Sequence, residues 1–225
     1  MSTTVGVVVF PGTNCEMDAV TAVERLGGEG RLLWHADDDV AGVDVVIVPG
    51  GFAHGDYLRP GAIARFSPMM GAIARFAADG GPVVGICNGF QVLTEAGLLP
   101  GALQKNRGLK FLCQSTVLRV DSTDSVLTRR AVFGAELSVP INHFEGNYTC
   151  DVETLAQLQD DDRIVLRYVD NPNGSVDDIA GVCNEERNVV GLMPHPERAC
   201  DDLLGSVDGE VLIASLLDSS PAVAA

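Results

Sequence analysis

Val5-Gly6-Val7-Val8-Val9-Phe10 is apolar throughout and closes on Pro11-Gly12, which predicts a strand buried on both faces of a parallel sheet. Over residues 15–27 the apolar positions Met17, Val20, Val23 and Leu26 recur at helical spacing and stop at Gly27-Gly28, a helix C-terminal signal. Arg31-Leu32-Leu33-Trp34 and Val43-Asp44-Val45-Val46-Ile47-Val48 read as the next two strands, the second ending in Pro49-Gly50-Gly51. A helix is predicted over Gly61 to Ala78, a short buried strand over Pro82 to Ile86, and another helix from Gly89 to Ala96. This βαβ alternation implies a doubly wound α/β sheet. The hexapeptide Gly-Ala-Ile-Ala-Arg-Phe occurs at 61–66 and again at 71–76. Ten residues are about 2.8 helical turns, so the copies face different directions and are not an equivalent repeat.

Beyond residue 110 the pattern changes. Strand-like segments at Ser115 to Val120, Ala131 to Val139 and Arg163 to Val169 are separated by acidic or Asn/Gly/Pro-rich turns, so this half is expected to be more antiparallel. Asp160-Asp161-Asp162 reads as a solvated turn, because no metal-ligand spacing accompanies it. Val189 to Met193 is a last core strand leading into Pro194-His195-Pro196-Glu197, and 203–217 a terminal amphipathic helix followed by a frayed tail at 219–225.

Length and composition narrow the class. The 225 residues, 46% of them hydrophobic, suit one globular domain, 1–225, with enough apolar material for a sizeable core. No apolar run approaches the roughly 20 residues a membrane-spanning helix needs, and no basic leader precedes the first strand, so a cytoplasmic protein is expected. The six cysteines form no C-x-x-C pair and no metal-ligand cluster, so neither a metal site nor a disulfide framework is indicated and most should be small buried hydrophobes. The net charge of −16, with only Lys105 and Lys110 as lysines, opposes nucleic acid and anionic membranes as partners and resembles adaptation to a salty cytoplasm.

Cys87 stands apart from the other cysteines. A strand ending at Ile86, a helix starting just beyond it, and glycines at 85 and 89 reproduce the G-x-nucleophile-x-G elbow with sulfur as the nucleophile. The helix start favours a thiolate and offers free N–H groups to an oxyanion, that of Asn88 first. A second donor is expected from the glycine turn ending a neighbouring strand; Gly51 fits, though a plain tight turn explains it equally well. Of the four histidines, His195 is the best base. It follows a buried strand between two prolines, and in extended backbone Glu197 would project to the same side and orient the ring.

These motifs resemble the triad-type (class I) glutamine amidotransferases, whose elbow is G-x-C-x-G-x-Q and whose base pair is His-x-Glu. More narrowly, four blocks resemble the glutaminase subunits of phosphoribosylformylglycinamidine synthases: Phe10 to Glu16; Pro49 to Phe52 with Gly55 to Arg59; Gly85 to Gln91; and Met193 to Arg198. The resemblance spans residues 5 to 199. It implies a flavodoxin-like fold, Cys87 as nucleophile, His195 and Glu197 as base and orienter, Gly51 and Asn88 at the oxyanion, Gln91 on the substrate glutamine, and Cys15 in a structural place. It also implies ammonia delivery to a separate large synthetase subunit that uses ATP and Mg²⁺, with a small bridging subunit, and no cofactor or metal in this chain. The sequence departs from the family at Ala53-His54, where Ser-Tyr is usual, and at Asn142-His143-Phe144-Glu145-Gly146, where Ala-His-Gly-Glu-Gly is usual; both bear on the substrate pocket rather than the triad. Glutaminases serving other synthases are the nearest alternative, opposed by the Asn14-Cys15 and Asn88-Gly89-Phe90-Gln91 blocks. A cysteine peptidase or chaperone-like protein on the same elbow is opposed by Gln91 and His-x-Glu, and a silent regulatory module would leave Cys87 unlabelled by a glutamine analogue.

Overall fold

The computed structural model describes residues 2–40 and 42–218. The tail expected at 219–225 lies outside the described residues. Eleven strands and five α-helices are found among them: β1 (Thr4–Val9), α1 (Glu16–Arg25), β2 (Glu29–Trp34), β3 (Val45–Val48), α2 (Pro68–Ala78), β4 (Val83–Ile86), α3 (Asn88–Glu95), β5 (Ala102–Gln104), β6 (Leu112–Val120), β7 (Glu136–His143), β8 (Asn147–Thr149), α4 (Val152–Asp160), β9 (Ile164–Tyr168), β10 (Ile179–Cys183), β11 (Val189–Leu192) and α5 (Glu210–Leu217).

Nine strands form one sheet in the order β2-β1-β3-β4-β11-β10-β9-β6-β7, and β5 pairs with β8 apart from it. The first five strands of the large sheet run parallel. The other four join antiparallel. Every residue of β3, β4 and β11 is buried, which explains why they hold only Val, Ile, Leu and Gly. In contrast, β6 alternates exposed and buried residues from Ser115 to Val120, as a strand with one wet face must.

Several expectations are corrected. The helix expected from Gly61 divides: Ala64–Phe66 is a 3₁₀ turn, Ser67 is extended, and α2 starts at Pro68, whose ring fits a first helical position but not a helix interior. The repeated hexapeptide therefore takes two structures, a turn at 61–66 and α-helix at 71–76. The strand expected at 131–139 instead spans Glu136–His143, and Val132 and Phe133 lie exposed in the turn before it. Helix α4 went unread although Asp151 caps it, accepting from Thr154 N–H at 2.7 Å. The fully buried β10 was likewise missed. The terminal helix is shorter than 203–217: Gly205 adopts a left-handed conformation and α5 begins at Glu210. Asp160, Asp161 and Asp162 are exposed as expected, but Asp160 closes α4 and the turn holds only Asp161 and Asp162.

Candidate active site

The carboxyl ends of β3, β4 and β11 lie side by side, with Val48 opposite Gly85 and Leu192 opposite Ile86. They feed three turns: Pro49-Gly50-Gly51, Cys87, and Met193-Pro194-His195. Ligand sites in open α/β sheets form at such strand ends.

Cys87 has φ 52° and ψ −106°, a conformation that costs an L-residue on the order of 1–3 kcal/mol. Its surroundings enforce it. A Cβ on Gly85 would lie 2.7 Å from the Gly89 carbonyl carbon, and one on Gly89 would lie 1.8 Å from the Val48 oxygen, so only glycines allow so sharp an elbow. The Cys87 N–H donates to Leu192 O at 2.8 Å, and its Sγ lies 3.7 Å from Asn142 O.

His195 is fully buried, and its Nδ1 meets Glu197 Oε1 at 2.6 Å. The pairing matches the expectation but the backbone does not: Pro196–Arg198 is a 3₁₀ turn, so Glu197 reaches the ring by a tight bend rather than along an extended strand. Burial opposes charge on the imidazole. The Glu197 carboxylate and the Cys87 sulfur more than offset it and hold the ring well above the ordinary histidine range. The Cys87 sulfur is near enough to raise the ring, and among the described residues the other ring nitrogen, Nε2, has no hydrogen-bond partner.

Gly50 fits between these groups. A Cβ there would stand 2.7 Å from His195 Cε1 and 3.5 Å from Cys87 Cβ. Its neighbour Gly51 has φ 137°, and a Cβ on it would crowd Asn14 N at 2.7 Å. Among the described residues no acceptor takes the backbone N–H of Gly51 or of Asn88. The Asn88 side chain fastens the glycine turn to the helix start: Oδ1 accepts from Ala53 N–H at 2.9 Å, and Nδ2 donates to Asp56 Oδ1 and Gln91 Oε1. Gln91 Nε2 donates to Glu145 O, which leaves one hydrogen and one lone pair of its amide for a ligand.

All of this opens into a cavity of about 540 Å³, with Cys87, Gln91, His195 and Gly51 among its lining residues. The other two expected residues, Asn88 and Glu197, are buried and are not lining residues. Cys15 is buried on the wall, where Arg198 Nη2 lies 3.1 Å from its sulfur. Burial pushes the Cys15 thiol up to about 12, with Arg198 acting in the opposite direction.

A family model described as a CobB/CobQ-like glutamine amidotransferase domain matches residues 2–210. Phosphoribosylformylglycinamidine synthase subunit PurQ of Rubrobacter xylanophilus is 61% identical over 175 residues, 78% of this chain and 80% of that protein. The same subunit of Synechococcus elongatus is 55% identical over 216 residues, 95% and 97% of the two chains. The chain belongs to the PurQ family of glutamine amidotransferases. A chain in the structure of PurLQS from Thermotoga maritima matches with a TM-score of 0.89 and 43% identity, covering 97% of this chain and 99% of that one. A putative GMP synthase subunit from Thermoplasma acidophilum, 16% identical with a TM-score of 0.69 over 98% and 94% of the chains, shares the fold.

For a PurQ-family chain, two wall residues had escaped the sequence reading. Asp56 sits in one of the resembling blocks, but nothing in its spacing marks it as a cavity carboxylate. Burial raises its pKa to about 6, with nearby Glu145 adding to the rise and the Asn88 hydrogen bond opposing it. His143, in a departing block, is buried against Asn106, and burial together with His195 lowers its pKa to about 4. It is neutral at physiological pH, while His195 is the ring backed by a carboxylate.

Proposed function

We propose that the chain, acting as one glutamine amidotransferase domain over 1–225, hydrolyses L-glutamine at Cys87. The ammonia passes to a separate ATP-dependent synthetase that converts formylglycinamide ribonucleotide to formylglycinamidine ribonucleotide in purine biosynthesis. The observation that carries this reading is the strained Cys87 elbow facing a buried His195 whose far side is held 2.6 Å from Glu197.

In the proposed mechanism His195 takes the Cys87 proton through Nε2, and the thiolate attacks the side-chain amide carbon of glutamine. The N–H groups of Gly51 and Asn88 receive the oxyanion. His195 then protonates the departing amine, ammonia leaves, and a glutamyl thioester remains. Water deprotonated by His195 releases glutamate. Glu197 fixes the ring so that Nε2 faces the sulfur and stabilises the imidazolium. Gln91 holds the substrate with the free half of its amide.

The partners proposed are a large synthetase subunit, which uses ATP and Mg²⁺, and a small bridging subunit, of the kind named in PurLQS of Thermotoga maritima. Exposed Phe52, Leu58 and Phe111 around the cavity support docking of a protein over its mouth. No described helix is long and apolar enough to cross a membrane, consistent with the cytoplasmic location we propose.

The test is reconstitution with synthetase and bridging subunits, comparing amidine formation from glutamine and from ammonium salt. Cys87→Ala should abolish the glutamine-driven reaction, spare the ammonium-driven one, and remove covalent labelling by a glutamine-analogue alkylator. Loss of both activities would refute the division of labour.

A further inference from the structure

We propose that Cys15, His195 and Glu197 form a binding site for a thiophilic divalent cation such as Zn²⁺ or Cd²⁺, and that its occupation switches off glutamine hydrolysis. The binding stands on geometry alone; the inhibition rests on the role given to His195 above.

The ligand atoms of the three side chains lie within 4.8 Å of one another, and all three residues are at least nine-tenths buried. They come from two loops distant in sequence, the β1–α1 loop and the turn after β11, so no spacing motif reveals them. Among the described residues Glu197 Oε2 has no hydrogen-bond partner, and a buried carboxylate oxygen without a donor is costly. Cys15 and His195 line the cavity, which gives a metal ion a route in. Gly50 keeps the space open: a side chain there would collide with the His195 ring and crowd the Cys15 sulfur.

The donor set also selects the ion. One sulfur, one imidazole nitrogen and one carboxylate oxygen suit Zn²⁺ or Cd²⁺, with cavity water in the fourth position. Ca²⁺ and Mg²⁺ ask for six or more oxygens. A Cys15 thiolate and the Glu197 carboxylate together balance the charge of a divalent cation, and the Arg198 guanidinium beside the sulfur favours the thiolate.

Binding replaces protons by metal without any oxidant. Cys15 releases its proton to solvent as the sulfur–metal bond forms. Glu197 already faces Nδ1, so this is the ring nitrogen the metal takes; the proton that Nδ1 holds against Glu197 leaves to solvent as the nitrogen–metal bond forms, and the neutral ring keeps its one proton on Nε2. A ring protonated at Nε2 cannot accept the Cys87 proton, and the first step of amide attack is blocked.

The experiment titrates Cd²⁺ into the full chain carrying Cys113→Ser and Cys150→Ser, which removes the two thiols that are not buried, and follows thiolate-to-metal ultraviolet absorption. One Cd²⁺ per chain is expected. Adding Cys15→Ala should weaken binding by roughly tenfold to a hundredfold or more, while adding Cys87→Ala should leave it intact. Unchanged affinity in Cys15→Ala, or loss of binding in Cys87→Ala, overturns the site; Cys15→Ser is the alternative if the alanine variant does not fold. In the reconstituted complex, saturating Zn²⁺ should stop glutamine-driven but not ammonium-driven turnover, and Cys15→Ala should escape. Binding without this selective block overturns the inhibition. Failure of the glutaminase reading shows separately, as no glutamine turnover by the metal-free unmutated protein.

Discussion

Gly89 sits against the carbonyl oxygen of Val48 so closely that a methyl group on its Cα would lie 1.8 Å from that oxygen. The contact seats α3 directly on the end of β3 and so sets the distance between the elbow and the glycine turn. Both atoms belong to backbone, and neither can swing aside. Gly89→Ala should therefore cost on the order of 1–3 kcal/mol or more in denaturant unfolding and abolish alkylator labelling of Cys87. Gly108→Ala, where a Cβ meets nothing among the described residues within 4 Å, should leave both unchanged. Equal behaviour of the two variants would count against the close approach.

Glu197→Gln keeps the shape of the buried pair but removes the charge that raises His195 and fixes its tautomer. Glutamine-driven kcat in the reconstituted complex should fall by roughly 10²–10⁴, with ammonium-driven turnover untouched. A loss under threefold would show that the ring is oriented by something else.

Much of this site was legible because its parts carry sharp local signals. Gly85, Cys87 and Gly89 announce a turn that only glycines permit, and His195 with Glu197 flank a proline just after a buried strand. The Val5–Val8 core of β1 and the strands β3, β4 and β11 were legible for a related reason: buried on both faces, they have no polar residue to interrupt them. What escaped depends on contacts between distant segments. Asp56 becomes a cavity carboxylate only through Asn88, and Cys15 meets Arg198 only after folding. The hexapeptide shared by 61–66 and 71–76 makes the point within one chain. In the first copy Gly61, at φ 79°, packs against the Gln91 backbone, whereas the second follows Pro68 into a helix. Context decided between identical sequences. Cys113 shows the same limit, since the general rule buries cysteines and β6 exposes this one.

Two wall residues give stability opposite pH dependences. His143 is held near 4, below its ordinary 6.5, so between these values the unfolded chain binds a proton that the folded chain refuses. Stability contributed by this group is present above about pH 6.5 and is lost as pH falls toward 4, by up to about 3 kcal/mol. Asp56 is held near 6, above its ordinary 3.8, so its contribution is present below about pH 3.8 and is lost as pH rises through 6. Asp56→Asn should raise the urea midpoint at pH 7.5 and have little effect at pH 4, and His143→Gln should flatten the fall below about pH 6.5. An Asp56→Asn gain that is the same at both pH values would contradict the assignment.

With a net charge of −16 and exposed runs at Asp37-Asp38-Asp39 and Asp160-Asp161-Asp162, the folded surface repels itself at low ionic strength. Raising KCl from roughly 0.1 to 2 M shortens the screening length from about 10 Å to below about 3 Å. The melting temperature should climb by several degrees over that range, as scanning calorimetry would record. An unchanged midpoint would remove the case for salt adaptation.

The left-handed backbone of Cys87 implies that this fold would be sturdier without the residue proposed as its nucleophile. Cys87→Gly removes the steric penalty at φ 52°, and the inactive variant should melt higher than the active protein despite the greater entropy of glycine in the unfolded chain. Cys87→Ala, which keeps the penalty, should not. Selection for stability alone would erode this position first, so the activity proposed for it would be kept against the thermodynamic preference of the scaffold that carries it.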